Sequence, residues 1–63
     1  MATYIKEMRK KRNLTQGDLA VQLGITQGAV SQWESGLTNP TLETLVKIAE
    51  VLNCTVDELL KPA

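Results

Sequence analysis

Several kinds of residue and segment are scarce or missing in this sequence. It has 63 residues with no histidine and one cysteine, and no apolar run approaches the roughly 20 residues that span a bilayer. A single cysteine excludes an internal disulfide framework. No clustered carboxylates and no phosphate-binding glycine loop accompany that cysteine. We therefore expect no enzyme, no metal ion and no cofactor.

The N-terminal stretch MATYIKEMRKKR lacks the apolar segment of a secretory signal. Together with the lone cysteine, this favours a reducing, cytoplasmic location and no membrane partner. A chain of this size forms one domain at most, and it buries only about 60% of the surface that its unfolded chain exposes. Oligomerisation would therefore add to its stability.

The charges are balanced in number but not in position. The formal net charge is zero, yet five of the seven basic residues lie within the first twelve positions. Four of the acidic residues lie in the last third: Glu43, Glu50, Asp57 and Glu58. This distribution indicates either a positive and a negative end of the domain or ordinary solvated helix faces.

Helical spacing and helix-capping residues predict an all-α fold of five helices in one domain over residues 1–63. The first helix is expected over about 3–11, with Asn13 ending it in the left-handed conformation. Threonines are expected to cap the later helices, two of them in capping boxes with an acidic residue three positions on. The caps are Thr15, Thr26, Thr41 and Thr55. The expected ends are Gly24, Gly36, Asn53 and Pro62.

The stretch from Gln16 to Ser35 has the features of a helix-turn-helix. Ala20 is small enough to let the second helix pack closely, and Gly24 allows a left-handed turn. No proline interrupts either helix. The inner faces carry apolar residues: Leu19, Leu23, Ile25, Val30 and Trp33. The outer face of the second of these helices carries side chains that form hydrogen bonds and can reach base edges.

The remaining apolar residues are expected to form the core. In the fourth helix five residues follow the i, i+3, i+4, i+7 pattern: Leu42, Leu45, Val46, Ala49 and Leu52, with Ile48 beside them. Trp33 is expected in the core, and Cys54 as a buried, unreactive thiol. Arg9 and Arg12 lie beside the apolar stripe of the first helix and should be partly covered, whereas its lysines should be exposed.

The segments LTQGDLAVQLGITQGAVSQWESG and NPTLETLVKIAEVLNCTVDELL resemble the helix-turn-helix family of phage Cro and lambda-type repressors, which includes the xenobiotic-response-element-type regulators. The resemblance covers about residues 5–60 and includes Gly24, the Trp33–Glu34 pair and Gly36. It implies a compact five-helix, lambda-repressor-like DNA-binding domain. It also implies a two-fold homodimer, at least on DNA, on a near-palindromic operator.

The resemblance also implies roles for individual residues. The third helix would read bases in the major groove through Gln27, Gly28, Ser31 and Gln32. A glutamine at position 27 can bond N6 and N7 of adenine together. Gly28 either lets the backbone approach a base or thymine methyl, or occupies a tolerant surface position. Arg9 and Glu34 would form a structural ion pair between the first and third helices.

Phosphate contacts are expected from residues beside the third helix and at the ends of the first and second. They are Gln16, Thr15, Lys10, Arg12, Thr38 and Asn39. Lys10 can equally be a solvated surface residue. The loop Leu37–Asn39 lacks the basic residue common in the family, so we expect modest affinity, a shallow salt dependence and a greater need for dimerisation. In the resembled family, surplus apolar residues form the dimer contact; here Leu37, Val51, Val56 and Leu60 belong either to that contact or to the core.

Two classes of function remain open. The first is a sequence-specific regulator of transcription, nucleoid-associated, which represses by occlusion or acts by recruiting polymerase. The second is a module of the same fold that docks a partner protein, which the zero net charge would favour. Enrichment of a duplex sequence from a random pool separates the two.

Overall fold

A computed structural model describes residues 3–60, and these form five helices and no strand. The helices are α1 (Ile5–Lys11), α2 (Gln16–Leu23), α3 (Gln27–Ser35), α4 (Leu42–Leu52) and α5 (Val56–Leu60). The prediction of an all-helical, five-helix fold is confirmed for these residues. The first helix begins two residues later than expected, and Pro62 lies outside the described residues.

Threonine hydroxyls cap the helices as the sequence predicts. The Oγ1 atoms of Thr15, Thr26 and Thr41 each accept the backbone N–H three residues on. Thr15 and Asp18 complete a reciprocal capping box. Thr55 and Glu58 exchange the same pair of bonds at the start of α5. These bonds satisfy N–H groups that have no acceptor within their own helix.

Left-handed residues end the helices. Gly24 has φ +71° and Gly36 has φ +83°, the range in which glycine carries no steric penalty. Asn53, at the end of α4, has φ +53°, and Asn13, just after α1, has φ +58°. The turns after Gly24 and Asn53 bring α3 back against α2 and α5 back against α4.

All five helices contribute to one core. Its fully or almost fully buried apolar residues are Ile5, Leu19, Ala20, Val30, Leu45, Ile48, Ala49, Leu52 and Leu59. Trp33 and Cys54 are half-buried and pack against this cluster. The N–H of Tyr4 donates to the carbonyl of Leu59 at 2.7 Å and joins the two ends of the fold. The core therefore packs against the inner faces of α2 and α3.

Three expected core residues are not in the core. Ile25 is 36% exposed, Leu42 69% and Val46 42%. Ile25 follows the left-handed Gly24, where the chain turns at the surface between two helices. Leu42 begins α4, and Val46 lies beside the buried stripe that centres on Ile48. For these side chains the predictions from periodicity are wrong because the neighbouring helices do not extend over them.

Replacing Gly24 by alanine should destabilise the fold without creating a clash. A Cβ at Gly24 would meet nothing within 4 Å, so the cost is that of the left-handed backbone, about 1–2 kcal/mol. We expect the Tm to fall by roughly 4–8 °C or more in thermal unfolding. Gly24→Asn is the matched control and should lose less, because asparagine already occupies this conformation at positions 13 and 53. Equal losses for the two variants would contradict this explanation.

Candidate nucleic-acid interface

An ion pair between Arg9 of α1 and Glu34 of α3 joins the first helix to the helix-turn-helix. The Nε of Arg9 donates to Oε2 of Glu34 at 2.7 Å, and Nη2 donates to Oε1 at 3.1 Å. The two side chains are only 9% and 4% exposed. The third nitrogen, Nη1, donates to the carbonyl of Leu14 at 2.7 Å. The structure thus brings together the two residues expected to pair and fixes the loop after α1 with them.

Both charges of the pair are stabilised. The hydrogen bond and the charge of Glu34 raise the pKa of Arg9 above its ordinary value against the opposing effect of burial. Burial by itself raises the pKa of Glu34. Hydrogen bonds from Arg9 and Gln16, with the charges of Arg9 and Lys6, outweigh it, so that this pKa lies below its ordinary value. The pair is therefore ionised at neutral pH.

The ion pair continues to the surface through two glutamines. Nε2 of Gln16, the first residue of α2, donates to Oε1 of Glu34 at 3.0 Å. Oε1 of Gln16 in turn accepts from Nε2 of Gln27, the first residue of α3, at 3.3 Å. Because the Glu34 and Arg9 side chains are buried and joined by two hydrogen bonds, they determine the orientation of the Gln16 amide. The Gln16 amide then restricts the orientation of Gln27.

The start of α2 combines a cap with an exposed carboxylate. Thr15 Oγ1 accepts the N–H of Asp18, and the N–H of Thr15 donates to Asp18 Oδ2, both at 3.0 Å. Hydrogen bonds to the Asp18 carboxylate, first from the Thr15 backbone N–H and then from the Thr15 hydroxyl, lower the pKa of Asp18. Thr15 is exposed, so its hydroxyl is accessible to a ligand.

The outer face of α3 is open to solvent. Gln27, Gly28, Ser31 and Gln32 are all exposed. The expected base-reading residues therefore share an uncovered surface, and Gln27 is the one whose side chain is hydrogen-bonded to α2. The face carries no charge of its own, so its chemistry is that of hydrogen bonding and shape.

Two loop residues expected to contact phosphate lie at the far end of α3. The N–H groups of Leu37 and Thr38 donate to the carbonyl of Gln32 at 3.0 and 3.4 Å, which attaches this loop to the helix. Thr38 and Asn39 are exposed, and so is Lys10 on α1. These three positions are therefore accessible to a ligand.

Arg12, which is also expected to contact phosphate, is bound to main-chain carbonyls within the domain. Its Nε donates to the carbonyl of Leu52 at 2.8 Å, and Nη2 donates to that of Asn53 at 3.1 Å. These carbonyls end α4, where the helix dipole attracts a cation. The residue as a whole is exposed, rather than partly covered as expected. Its guanidinium therefore joins the end of α1 to the end of α4, a structural role in addition to the phosphate contact expected of it.

Sequence reasoning missed the Gln16–Gln27 contact. A signal for it exists: Thr-Gln-Gly occurs twice, at 15–17 and 26–28, and begins both helices of the motif. Because α2 and α3 pack against each other, equivalent first residues of the two helices can meet. Spacing along the chain does not show whether they do, since that depends on the crossing of the helices.

Cys54 is a free cysteine that lies partly buried between α4 and α5. Burial, and then the charge of Glu58, raise the pKa of the half-buried Cys54 thiol, which leaves it protonated and unreactive. Between residues 3 and 60, histidine, cysteine and carboxylate groups nowhere gather in a metal-binding cluster. No helix in that range has the length and apolar character needed to cross a membrane.

Arg9→Ala should mainly destabilise the fold. It leaves the Glu34 carboxylate buried without its partner and removes the donor to the Leu14 carbonyl, a loss of about 3–5 kcal/mol for a buried pair. Urea unfolding followed by circular dichroism measures it. Lys10→Ala, on the exposed side of the same helix, is the control and should change stability by less than about 0.5 kcal/mol. Unchanged unfolding of Arg9→Ala would show that the pair is not structural.

Comparison with known proteins places this geometry in a family. The family model described as Helix-turn-helix matches residues 5–59. The HTH-type transcriptional activator BcrR of Enterococcus faecalis is 43% identical over 56 residues, which are 89% of this chain and 28% of that protein. Repressor protein C2 of Salmonella phage P22 is 38% identical over 61 residues, again 28% of its length. The chain thus spans less than a third of these relatives.

Solved structures agree with the sequence relatives. The P22 C2 repressor in complex with a synthetic operator has a TM-score of 0.83 at 38% identity, covering 90% of this chain and 86% of that one. SinR of Bacillus subtilis in complex with DNA has a TM-score of 0.82 at 34% identity, covering 90% and 92%. These relatives are named as an activator, a repressor and a regulator. The chain belongs to the helix-turn-helix family of Cro and lambda-type repressors.

Proposed function

We propose that the domain binds double-stranded DNA in a sequence-specific manner and regulates transcription, with α3 inserted in the major groove. The observation that carries this proposal is the exposed polar face of α3, whose first residue is held by the buried ion pair through Gln16. Relatives with the same fold are seen in complex with DNA. Occupancy of an operator by this surface suffices for repression, and two phage relatives are named as repressors.

Gln27 is the principal base-reading residue of the proposal. One N–H of its amide is used by Gln16. The second N–H and the carbonyl oxygen are left, which are the donor and the acceptor that adenine N7 and N6 require. The contact to Gln16 thus removes no group that the base needs, and it reduces the freedom that the side chain would lose on binding. Ser31 and Gln32 extend the reading edge, with Gly28 between them and Gln27.

Phosphate contacts surround this edge in the proposal. Gln16 keeps one amide N–H, and its backbone N–H begins α2 at the positive end of the helix dipole. The Thr15 hydroxyl supplies another donor beside it. Thr38 and Asn39 supply neutral donors from the loop after α3, and Lys10 supplies a charge. With so few cations, the salt dependence of binding should be shallow, at about 0.9 per phosphate neutralised.

Dimerisation on DNA is the second part of the proposal. A single neutral domain with few charged contacts gains little affinity for DNA, and two copies on a near-palindromic operator read twice the sequence. Of the residues expected at a dimer contact, Leu37 is 74% exposed, whereas Val51, Val56 and Leu60 are half-buried and pack against the core. Binding to DNA would place the protein at the nucleoid. The relatives' names do not favour the alternative of a protein-docking module.

Gln27→Ala tests the assignment of the reading residue. Selection from a random duplex pool first identifies the preferred sequence. We then expect the variant to lose discrimination at one A·T pair by about 1–3 kcal/mol, as measured by gel shift against single-base-pair variants, with unchanged thermal unfolding.

Two outcomes would contradict the proposal. An equal loss of affinity for all sequences would place Gln27 on the DNA backbone rather than on a base. Failure of the wild-type domain to enrich any duplex at low salt would overturn the proposed function itself. Glu43→Ala is a suitable control variant, because Glu43 is exposed on α4 and should leave discrimination unchanged.

A further inference from the structure

Gly28 occupies a position where glycine is unfavourable for folding. It is the second residue of α3, and its φ lies outside the left-handed region that Gly24 and Gly36 adopt. In a helix, glycine loses more backbone freedom on folding than alanine does. Because its φ is not left-handed, the backbone conformation of Gly28 is one that any residue could adopt.

Nothing within the domain requires the absence of a side chain at Gly28. A Cβ built there would have Thr26 Oγ1 as its nearest neighbour, at 3.9 Å, which is ordinary van der Waals contact. The residue is exposed, so no packed neighbour excludes a larger side chain. The folded chain accounts for the glycine neither by strain nor by packing.

Gly17 provides an internal comparison. It is the second residue of α2, follows the same Thr-Gln pair, and a Cβ there would lie 3.7 Å from Thr15 Oγ1. The two glycines thus have matched local surroundings. They differ in where they face: Gly17 is half-buried, whereas Gly28 lies next to Gln27 on the open face of α3.

We propose that Gly28 determines specificity by placing its bare Cα against the C5-methyl group of a thymine. This inference rests on the proposed function, in which α3 lies in the major groove. The thymine methyl is the apolar group that bases present there, and a residue without polar side-chain atoms can read it only by shape. The adjacent Gln27 is suited to adenine, whose partner base is thymine, so the methyl and the glycine meet at the same part of the groove.

The first arm of the test removes the methyl. The selected duplex is prepared with each thymine in turn replaced by deoxyuridine, and the wild-type domain is titrated against each by fluorescence anisotropy. One replacement should weaken binding about three- to fivefold, the value of a single buried methyl group. The other replacements should change affinity by less than about twofold.

The second arm adds a methyl to the protein. Gly28→Ala and Gly17→Ala should each raise the Tm by a few degrees, because each removes a helical glycine. Gly28→Ala should bind the thymine duplex at least about tenfold more weakly, and it should bind the deoxyuridine duplex better than the thymine duplex. Gly17→Ala should keep the affinity and the thymine preference of the wild type.

The outcomes separate this inference from the proposed function. If the wild type enriches no duplex, both fail. If it enriches a duplex but no deoxyuridine replacement weakens binding, or if Gly28→Ala keeps the thymine preference, only the methyl contact is overturned. An equal loss by Gly28→Ala on thymine and deoxyuridine duplexes also overturns it, since that result means close approach to some other group.

Discussion

The buried ion pair between Arg9 and Glu34 is the interaction on which the rest of the structure depends. It joins α1 to α3 and fixes the Leu14 carbonyl in the loop before α2. Because a buried charge without its partner costs several kcal/mol, the pair holds three segments in one arrangement. Its value lies less in net stability than in the position that it gives to the first residue of α2.

Hydrogen bonds extend the effect of this ion pair to the surface of the domain. Glu34 accepts from Gln16, and Gln16 accepts from Gln27, so a buried carboxylate orders a side chain that faces solvent. The capped starts of α2 and α3 support the same arrangement, since Thr15 and Thr26 fix both helix beginnings. Order established inside the domain reduces the entropy that would otherwise be lost when a ligand binds. A small neutral domain with few cations depends on such order more than a basic one does.

Much of the fold could be predicted from the sequence, because local rules govern it. Threonine caps, left-handed residues at 13, 24, 36 and 53, and helical periodicity are properties of short segments. The wrong predictions of burial share one cause. Ile25, Leu42 and Val46 have the right spacing for burial, but whether a neighbouring helix covers them depends on helix lengths and crossing angles. The spacing of residues within a helix does not contain that information.

In the candidate site, too, features within one helix could be predicted, whereas contacts between helices could not. The outward direction of Gln27, Ser31 and Gln32 follows from a helical wheel. The engagement of Arg12 with the end of α4 does not, because it joins residues 40 positions apart in the sequence. Likewise, the contact between Gln16 and Gln27 requires the packing of two helices. The resemblance to a family indicated which residues matter, and the geometry shows how they act on one another.

The claim that the buried pair positions the reading residue is tested most directly by a double-mutant cycle between Glu34 and Gln27. Dissociation constants for the selected duplex are measured for the wild type, Glu34→Gln, Gln27→Ala and the double variant, at a temperature where circular dichroism shows all four folded. If Glu34 acts through Gln27, the Glu34 substitution weakens binding only while Gln27 is present, with a coupling of at least about 0.5 kcal/mol. Effects that add within about 0.3 kcal/mol would contradict it.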